Sequence, residues 1–441
     1  MHVAEGRAVG RFEAALGVVG LLALATTYAL ITGWNPVPGF LNFVESANSL
    51  SSPEVTWKAR LAGRPDYVVA TSRAVIAVGR DGVEARDTRT GAKVWSRAAD
   101  WAAVAGADSA AVVVAGRPNK KGFDVVDPPT GAVRWADDDA VGAWTYREAV
   151  LALTCQSLTQ CTVSSREPST GTVRWRTPLP GNGKVLGGIN HELMGSRDLI
   201  ASTVDSRATA PPTLPPMLGF PLDGKVQVLD TETGRRLREA EGGGTTRVSV
   251  VSGRTLYSTA VRRNGRCQYT IDARDPVTGS GVWHKEGYDL RTGSGAGCEQ
   301  RRDPAGGGGT LAAIRGDNRE VLLDAAGGRE LWVGEPGEKA LATDGRLAII
   351  RAANGTTVKM VDLGDRRVLW DHAVGKDADA ALTRFATIVV GQGRIMALEN
   401  GTGRLLVDVE STSKVVGCGP DGVILAGGRT VGLLPFGSIK S

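Results

Sequence analysis

Short runs in which apolar and polar residues alternate recur along the chain, and turn sequences separate them. In one unit, residues 122–126 alternate and lead into Asp127, after which Thr130 and Gly131 reverse the chain and a second run carries Trp135. Alternation with a period of two is typical of β-strands, and glycine tolerates the left-handed backbone that a tight reversal requires. The unit therefore predicts a β-hairpin.

The hairpin unit recurs eight times as an acidic residue, three residues, a glycine, three more residues and a tryptophan. The acidic residues are Asp87, Asp127, Glu167, Asp230, Asp275, Asp324, Asp362 and Glu399. The glycines are Gly91, Gly131, Gly171, Gly234, Gly279, Gly328 and Gly403, with Arg366 in the seventh copy. The tryptophans are Trp95, Trp135, Trp175, Trp283, Trp332 and Trp370, with Arg238 and Val407 in the fourth and eighth copies.

A second pair of short alternating runs precedes the hairpins, for example at 109–114, 199–204, 347–351 and 387–391. Four antiparallel strands per ~40 residues, repeated around a ring, are typical of a β-propeller. The sequence therefore predicts an all-β propeller over residues 54–435, with the indoles packed between blades as structural residues.

The two ends of this domain look like parts of one blade. Residues 55–58, with Trp57, resemble an outer strand without a hairpin before it, and residues 414–435 resemble three inner strands without an outer one. We expect the ends to complete a composite blade. Eight hairpins and one composite blade make nine blades by literal count.

The Asp/Glu, Thr-Gly and Trp repeat resembles the pyrroloquinoline-quinone (PQQ) repeat of quinoprotein alcohol dehydrogenases and of the non-catalytic propeller lipoprotein of outer-membrane protein assembly. The resemblance covers about residues 54–435 and implies four-stranded blades in a ring of eight, which we favour over nine on this ground. The resemblance does not distinguish an enzyme from a binding scaffold, because the same repeat occurs in both.

The resemblance also tells what a catalytic member would carry. The dehydrogenases typically have an adjacent cysteine pair against the quinone, and Glu, Asn and Asp ligands to calcium. The sequence contains no adjacent cysteines. We therefore assign no catalytic, cofactor-binding or metal-binding residue and expect neither PQQ nor calcium, although loop carboxylates could still assemble a calcium site.

The first fifty residues have a different pattern. Residues 14–32 form an uncharged run of 19 residues, which predicts a transmembrane helix over 14–34. Arg7 and Arg11 precede it, so a tail of residues 1–13 is expected in the cytoplasm and the propeller outside, in a single-pass protein of the bacterial cytoplasmic membrane. A cleaved signal peptide ending near Ala25 is the alternative. Residues 35–53 are interpreted as a linker and 436–441 as a C-terminal tail.

The five cysteines suit an oxidising compartment. Cys155 and Cys161 flank a short turn between two strands, which favours a disulfide across that hairpin. Cys267 and Cys298 are expected to tie a glycine-rich excursion to its sheet, and Cys418 is left unpaired and buried. Their spacing matches no zinc pattern.

Charge and the remaining motifs exclude several functions. The net charge is +5 with scattered Lys and Arg and no basic run with interleaved aromatics, so we expect no nucleic-acid partner. The four histidines occur singly and are interpreted as solvated loop residues, and the acidic run 137–139 as a solvated turn. The glycine runs are not followed by the Lys and Ser/Thr of a phosphate loop.

Two repeats are longer than the basic period, and propeller insertions are where binding residues collect. The first, 206–223, is a candidate partner loop containing Pro211, Pro212, Pro215, Pro216, Met217, Leu218, Phe220 and Pro221. Exposed Met, Leu and Phe would suit docking on a protein or a membrane, and a loop folded over its own blade is the alternative. The second, 287–309, carries Arg291, Arg301 and Arg302, which would suit binding of an acidic lipid headgroup or envelope polymer. A solvated loop is the alternative.

Together these features favour a membrane-anchored extracytoplasmic propeller that acts as a protein-binding or assembly scaffold in the bacterial cell envelope. Envelope proteins are the expected partners, and the sequence identifies no small-molecule ligand. A PQQ- and calcium-dependent dehydrogenase and an envelope glycan-binding module are the alternatives.

Overall fold

The computed structural model describes residue 50 and residues 55–80, 82–157, 160–180, 197–198, 211–222, 225–292, 298 and 304–439. Within these residues the chain forms nine β-sheets that follow one another as blades. First strands of neighbouring blades contact each other, as β-propeller geometry requires. The all-β propeller is confirmed. The blade number is the nine of the literal repeat count, and the eight favoured from the resemblance is wrong.

The strands of the first third of the chain begin with β1 (Trp57–Arg60), which belongs to blade 9. Blade 1 contains β2 (Pro65–Ala70), β3 (Val75–Gly79), β4 (Gly82–Arg86) and β5 (Lys93–Arg97). Blade 2 contains β6 (Trp101–Ala105), β7 (Val112–Gly116), β8 (Phe123–Val126) and β9 (Val133–Asp137), with a 3-10 turn at Asp108–Ala110. Blade 3 contains β10 (Ala140–Thr145), β11 (Val150–Ser157), β12 (Gln160–Arg166) and β13 (Val173–Pro180).

The middle of the chain starts with the short β14 (Arg197–Asp198). Blade 4 contains β15 (Met217–Leu222), β16 (Lys225–Asp230) and β17 (Ala240–Glu241). Blade 5 contains β18 (Thr246–Val251), β19 (Arg254–Arg263), β20 (Arg266–Arg274) and β21 (Gly281–Glu286). Blade 6 contains β22 (Tyr288–Asp289), β23 (Ala305–Gly307), β24 (Thr310–Arg315), β25 (Glu320–Asp324) and β26 (Glu330–Val333), and β14 pairs with β23 in parallel.

The last third completes the set. Blade 7 contains β27 (Lys339–Thr343), β28 (Leu347–Arg351), β29 (Thr357–Asp362) and β30 (Arg367–Ala373). Blade 8 contains β31 (Asp379–Leu382), β32 (Thr387–Gly391), β33 (Arg394–Leu398) and β34 (Leu405–Glu410). Blade 9 takes β35 (Lys414–Gly419), β36 (Gly422–Gly427) and β37 (Thr430–Pro435), and β38 (Ser438–Ile439) pairs with β34 of blade 8.

The position of a strand within its blade decides its hydrophobic pattern. All five residues of β7 are buried, whereas the outer strand β5 is largely exposed. The middle strands of a blade are covered on both faces by neighbouring blades, so they carry continuous Val, Ala and Ile rather than strict alternation. The hydrophobic core therefore lies between successive blades.

Ring closure joins the two ends of the propeller domain. β1 pairs with β37 in antiparallel register, with Trp57 opposite Leu433 and Arg60 opposite Thr430. The N-terminal strand therefore supplies the outer strand of the blade whose three inner strands come from the C-terminal end. This composite blade is the one that the sequence predicts.

Six of the seven repeat tryptophans reach from their outer strand to the hairpin turn of the next blade. The indole Nε1 donates to a backbone carbonyl at 2.7 to 3.1 Å, from Trp57 to Thr88, Trp95 to Pro128, Trp135 to Pro168, Trp175 to Thr231, Trp283 to Ala325 and Trp370 to Asn400. The turn glycine lies directly under the ring. A Cβ on Gly131 would come within 2.7 Å of Trp95. Glycine is therefore required both by the positive φ of 71° and by this contact.

Arg238 takes the place of an indole at blade 4. Its side chain lies over Gly279, where a Cβ would meet Nη1 at 2.8 Å. The guanidinium occupies the usual indole position, covering the turn with its alkyl stem and flat head.

The other two departures from the repeat also have local explanations. Val407 lies beside blade 9, whose outer strand comes from the N-terminal end of the domain. Blade 9 therefore has no turn between its third and fourth strands for an indole to cover. Arg366 keeps the left-handed turn at φ 56° and donates to the carbonyl of Glu330 at 2.6 Å.

Both predicted disulfides are confirmed. Cys155 bonds to Cys161 across the β11–β12 hairpin, and Cys267 bonds to Cys298. Cys418 is free and buried, as expected.

The predicted single-pass membrane topology is corrected. Among the described residues, no helix has both the length and the apolar character needed to span a bilayer. The segment 14–34, on which that prediction rests, lies outside the described residues.

Candidate functional site at the ring mouth

The turns between first and second strands gather at one end of the blades, because successive strands are antiparallel. We call this end the ring mouth. Turns of blades 1, 2, 3 and 8, together with Cys418 of β35 and Pro211, line a shallow recess there. The recess is the candidate functional site.

Two of these turns are built identically. Thr71 accepts the backbone N–H groups of Arg73 and Ala74 and donates from its hydroxyl to the carbonyl of Ala74. Thr383 makes the same three bonds with Phe385 and Ala386. Because a buried threonine satisfies each turn internally, these turns are rigid supports at the rim of the recess.

The cation of one rim turn crosses to another blade. Nη2 of Arg384, in blade 8, lies 3.0 Å from Oδ1 of Asp108, in blade 2, and its guanidinium carbon lies 4.4 Å from the centre of the Phe385 ring. The Asp108 side chain is 70% exposed, and an ion pair so exposed contributes only ~0–1 kcal/mol. An incoming anion can therefore replace Asp108 at small cost.

Arg147 lines the recess from blade 3. Its backbone N–H donates to the carbonyl of Pro212 at 2.9 Å, and the neighbouring Glu148 carboxylate accepts the N–H of Leu214 at 2.7 Å. No described residue forms an ion pair with the guanidinium of Arg147. Within the described part of the chain, the recess thus has one cation without a compensating carboxylate.

The proline-rich segment is tied down at the ring mouth. Besides the bonds to blade 3, the carbonyl of Pro215 accepts the hydroxyl of Thr231 at 2.6 Å, and that of Pro216 accepts its N–H at 3.0 Å. Pro212 and Pro216 are exposed. The segment brings Pro211 to the wall of the recess rather than projecting from the ring.

The expected exposure of Leu218 and Phe220 is wrong. Met217–Leu222 is a strand of blade 4, so Leu218 and Phe220 share one face, are 6% and 0% exposed and pack into the interface with blade 3. Phe220 meets Trp144 edge to face at 5.6 Å. Pro221 is half-buried in the same strand. That the loop binds a partner stays a prediction, now limited to its proline-rich first half.

The second insertion interrupts the first strand of blade 6, since β22 and β23 both pair with β24. Arg291 does not reach outward, because it pairs with Glu320 at 2.9 Å and both side chains are largely buried. Burial raises the pKa of Glu320 and Arg291 opposes that shift. Arg301 and Arg302 lie outside the described residues.

The remaining candidate groups for chemistry are engaged structurally. Burial raises the pKa of the Cys418 thiol, at the floor of the recess, to about 12, so it is not a thiolate nucleophile. Asp137 pairs with Arg166 at 2.8 Å and accepts two backbone N–H groups. Asp137 therefore has a structural role, whereas the acidic run 137–139 was expected to be a solvated turn.

The two described histidines lie on outer strands, contrary to the expected loops. His284 lies 2.7 Å from Asp272, and hydrogen bonding to that carboxylate raises its pKa. Nε2 of His372 lies 2.7 Å from the carbonyl of Gly403. In the described part of the chain, no group of three or more His, Cys, Asp or Glu side chains is arranged to hold a metal ion. That the chain binds neither calcium nor PQQ stays a prediction.

The recess itself was not predicted from the sequence. Its residues come from turns more than 300 positions apart, and each turn is chemically ordinary by itself. The repeated Thr-x-x-Ala pattern at 71–74 and 383–386 is the one signal that could have pointed to it.

Residues 268–417 match the family model described as outer membrane protein assembly factor BamB. No curated protein is significantly similar to the chain. Among solved structures, BamB from Moraxella catarrhalis is 16% identical, with a TM-score of 0.35 over 80% of this chain and 98% of that one. Quinohemoprotein alcohol dehydrogenase from Comamonas testosteroni is 13% identical, with a TM-score of 0.38 over 90% and 78%. At these TM-scores neither structure carries an argument about function.

Proposed function

The chain belongs to the PQQ-repeat β-propeller superfamily, and from this premise we propose that it is a non-catalytic assembly scaffold of the cell envelope, which binds an extended segment of a partner protein at the ring mouth. The observation that carries the proposal is the guanidinium of Arg147 in the recess, which no described carboxylate neutralises. The family model that matches residues 268–417 describes an assembly factor, which supports this class of role.

The chemistry of the recess supports a peptide as the occupant. Arg147 and Arg384 provide cations, Pro211 and Phe385 provide apolar surface, and Asp108 is the acidic group among the lining residues. Guanidinium groups bind carboxylates in bidentate geometry. A segment with an acidic residue beside an apolar one fits this combination.

The two disulfides support a site of action in an oxidising compartment, where such bonds persist. This agrees with the cell envelope. The proposal rests on the folded propeller and needs no particular mode of attachment.

Site-specific photocrosslinking in the producing cells tests the proposal. A photoreactive residue at Ser72, exposed in a rim turn, should form one discrete adduct with a protein, and the Arg147→Glu/Arg384→Glu variant should lose it. The same residue at Val133, which is 50% exposed on an outer strand, is the control. No adduct at Ser72, or equal adducts at both positions, would contradict binding at the ring mouth.

The non-catalytic part of the proposal has its own test. Calorimetric titration of the purified chain with PQQ in the presence of calcium should give no saturable heat. Micromolar or tighter binding would overturn it and favour the dehydrogenase.

A further inference from the structure

One hairpin of blade 5 is longer than the others and carries an unusual tip. β19 and β20 have 10 and 9 residues and are joined by Asn264 and Gly265, both with positive φ. Arg262, Arg263 and Arg266 are all exposed around this two-residue turn. The hairpin turns at the end of the blades opposite the ring mouth, since it joins second and third strands.

The register places two of these arginines directly opposite each other. Arg263 pairs with Arg266 as the last pair before the turn, so their side chains leave the same face of the hairpin about 5.5 Å apart at Cα. Like charges in directly opposed positions destabilise a hairpin. No described carboxylate neutralises either guanidinium. The fold therefore tolerates a repulsion that an external anion would relieve.

A disulfide fixes the hairpin immediately below this pair. Cys267 is the register partner of Arg262 and is bonded to Cys298. Asn-Gly in a two-residue turn matches the natural twist of the strands. The disulfide and the turn together fix the backbone of the hairpin tip. Binding a ligand to the two guanidiniums therefore costs little backbone conformational entropy.

We propose that Arg263 and Arg266 form a pincer that binds a carboxylate-rich segment of a partner protein. The tip is two residues wide, which suits a chain passing between the guanidiniums better than a flat lipid surface. The tip residues 262–266 include no aromatic ring, and stacking on such rings is how single-stranded nucleic acid is usually bound. Planar guanidiniums match carboxylates with paired hydrogen bonds.

The pincer is independent of the ring mouth, because the two lie at opposite ends of the strands. A scaffold with both sites could hold two partner segments at once. Failure of one proposal therefore leaves the other standing.

Fluorescence anisotropy with a labelled hexaglutamate peptide and the full chain tests the pincer. The expected result is saturable binding that weakens at least tenfold in the Arg263→Glu/Arg266→Glu variant. The matched control is Arg235→Glu/Arg236→Glu, an equal charge change at two exposed residues of a blade 4 turn, and it should change Kd less than twofold. The ring-mouth variant Arg147→Glu/Arg384→Glu should keep the pincer-dependent part of the binding.

Three results would overturn the proposal. The first is no binding of hexaglutamate by the unaltered chain, and the second is an equal loss in the control and the pincer variants, which would reflect net charge alone. The third is tighter, pincer-dependent binding of phosphatidylglycerol vesicles or of a single-stranded oligonucleotide than of the peptide. Unchanged thermal unfolding of the pincer variant would exclude misfolding as the cause of a loss.

Discussion

Nε1 of Trp57 donates a hydrogen bond to the backbone carbonyl of Thr88 at 2.9 Å. This bond joins the outer strand of the composite blade to the first hairpin turn of the ring. The ring of Trp57 lies on Gly91, so the junction at ring closure has the same geometry as the junctions between later blades. The repeated contact makes definite predictions about stability.

Gly131→Ala should be more destabilising than an equivalent change at a glycine without an indole above it. The new methyl group would meet Trp95 at 2.7 Å, and the backbone would hold the alanine at a φ of 71°. Left-handed strain costs about 1–2 kcal/mol, and overpacking adds about 1–3 kcal/mol. Gly253→Ala, at φ 73° with no atom within 4 Å, should show the strain alone. Urea unfolding midpoints compare the two, and equal losses would contradict indole packing on the turn.

Arg238→Trp should stabilise the ring. The position already lies over Gly279, and an indole there restores the repeat contact with more apolar area, for an expected gain of about 0.5–2 kcal/mol. Arg235→Trp, at an exposed position three residues earlier in blade 4, is the control and should gain nothing. A melting temperature unchanged or lower in Arg238→Trp would show that blade 4 is shaped for arginine.

Removal of the two disulfides should have unequal effects. Cys267 and Cys298 are 31 residues apart, whereas Cys155 and Cys161 are 6 apart. Restriction of the unfolded chain grows with loop length and gives about 4 kcal/mol for the longer loop and about 2 kcal/mol for the shorter. Double Cys→Ala variants of each pair, unfolded in urea, measure the difference. A larger loss from the Cys155 and Cys161 pair would contradict this ranking.

Cys418 should be inert in the folded chain. Its thiol is buried and its pKa is raised to about 12, so iodoacetamide at pH 8 should label it only after unfolding in urea. The unfolded thiol loses its proton first, so the free energy of unfolding should fall as the pH rises from about 9 toward about 12. Cys418→Ser should remove the thiol's share of that dependence and leave the share of the buried Tyr146 hydroxyl, whose pKa burial also raises. Rapid labelling of the native protein would contradict the burial.

The sequence was sufficient for the features that are local to one repeat. The blade hairpins, the composite blade and the pairing of Cys267 with Cys298 follow from short patterns or from their place in a repeat. Blade number was read correctly from the literal count and was misjudged when the family's usual ring size was preferred. A ring of nine blades has the same contacts within each repeat as a ring of eight, so the sequence of a single repeat does not specify the blade number.

Features that depend on neighbours were harder to predict. Leu218 and Phe220 alternate as strand residues do, but the prolines around them suggested an exposed loop, and only the surface of blade 3 makes them core residues. Arg384 and Asp108 meet across two intervening blades. Their separation of 276 positions leaves no sequence signal of the contact.

Closure of the ring by β1 and β37 also sets an order of events during synthesis. As the chain emerges from its N-terminal end, β1 becomes available long before Thr430 and Leu433, its pairing partners. For that whole interval Trp57 can dock on blade 1 while the other edge of its strand remains open, ready to pair with a foreign strand. Chaperone dependence of this protein should therefore be concentrated in the period before its final blade becomes available.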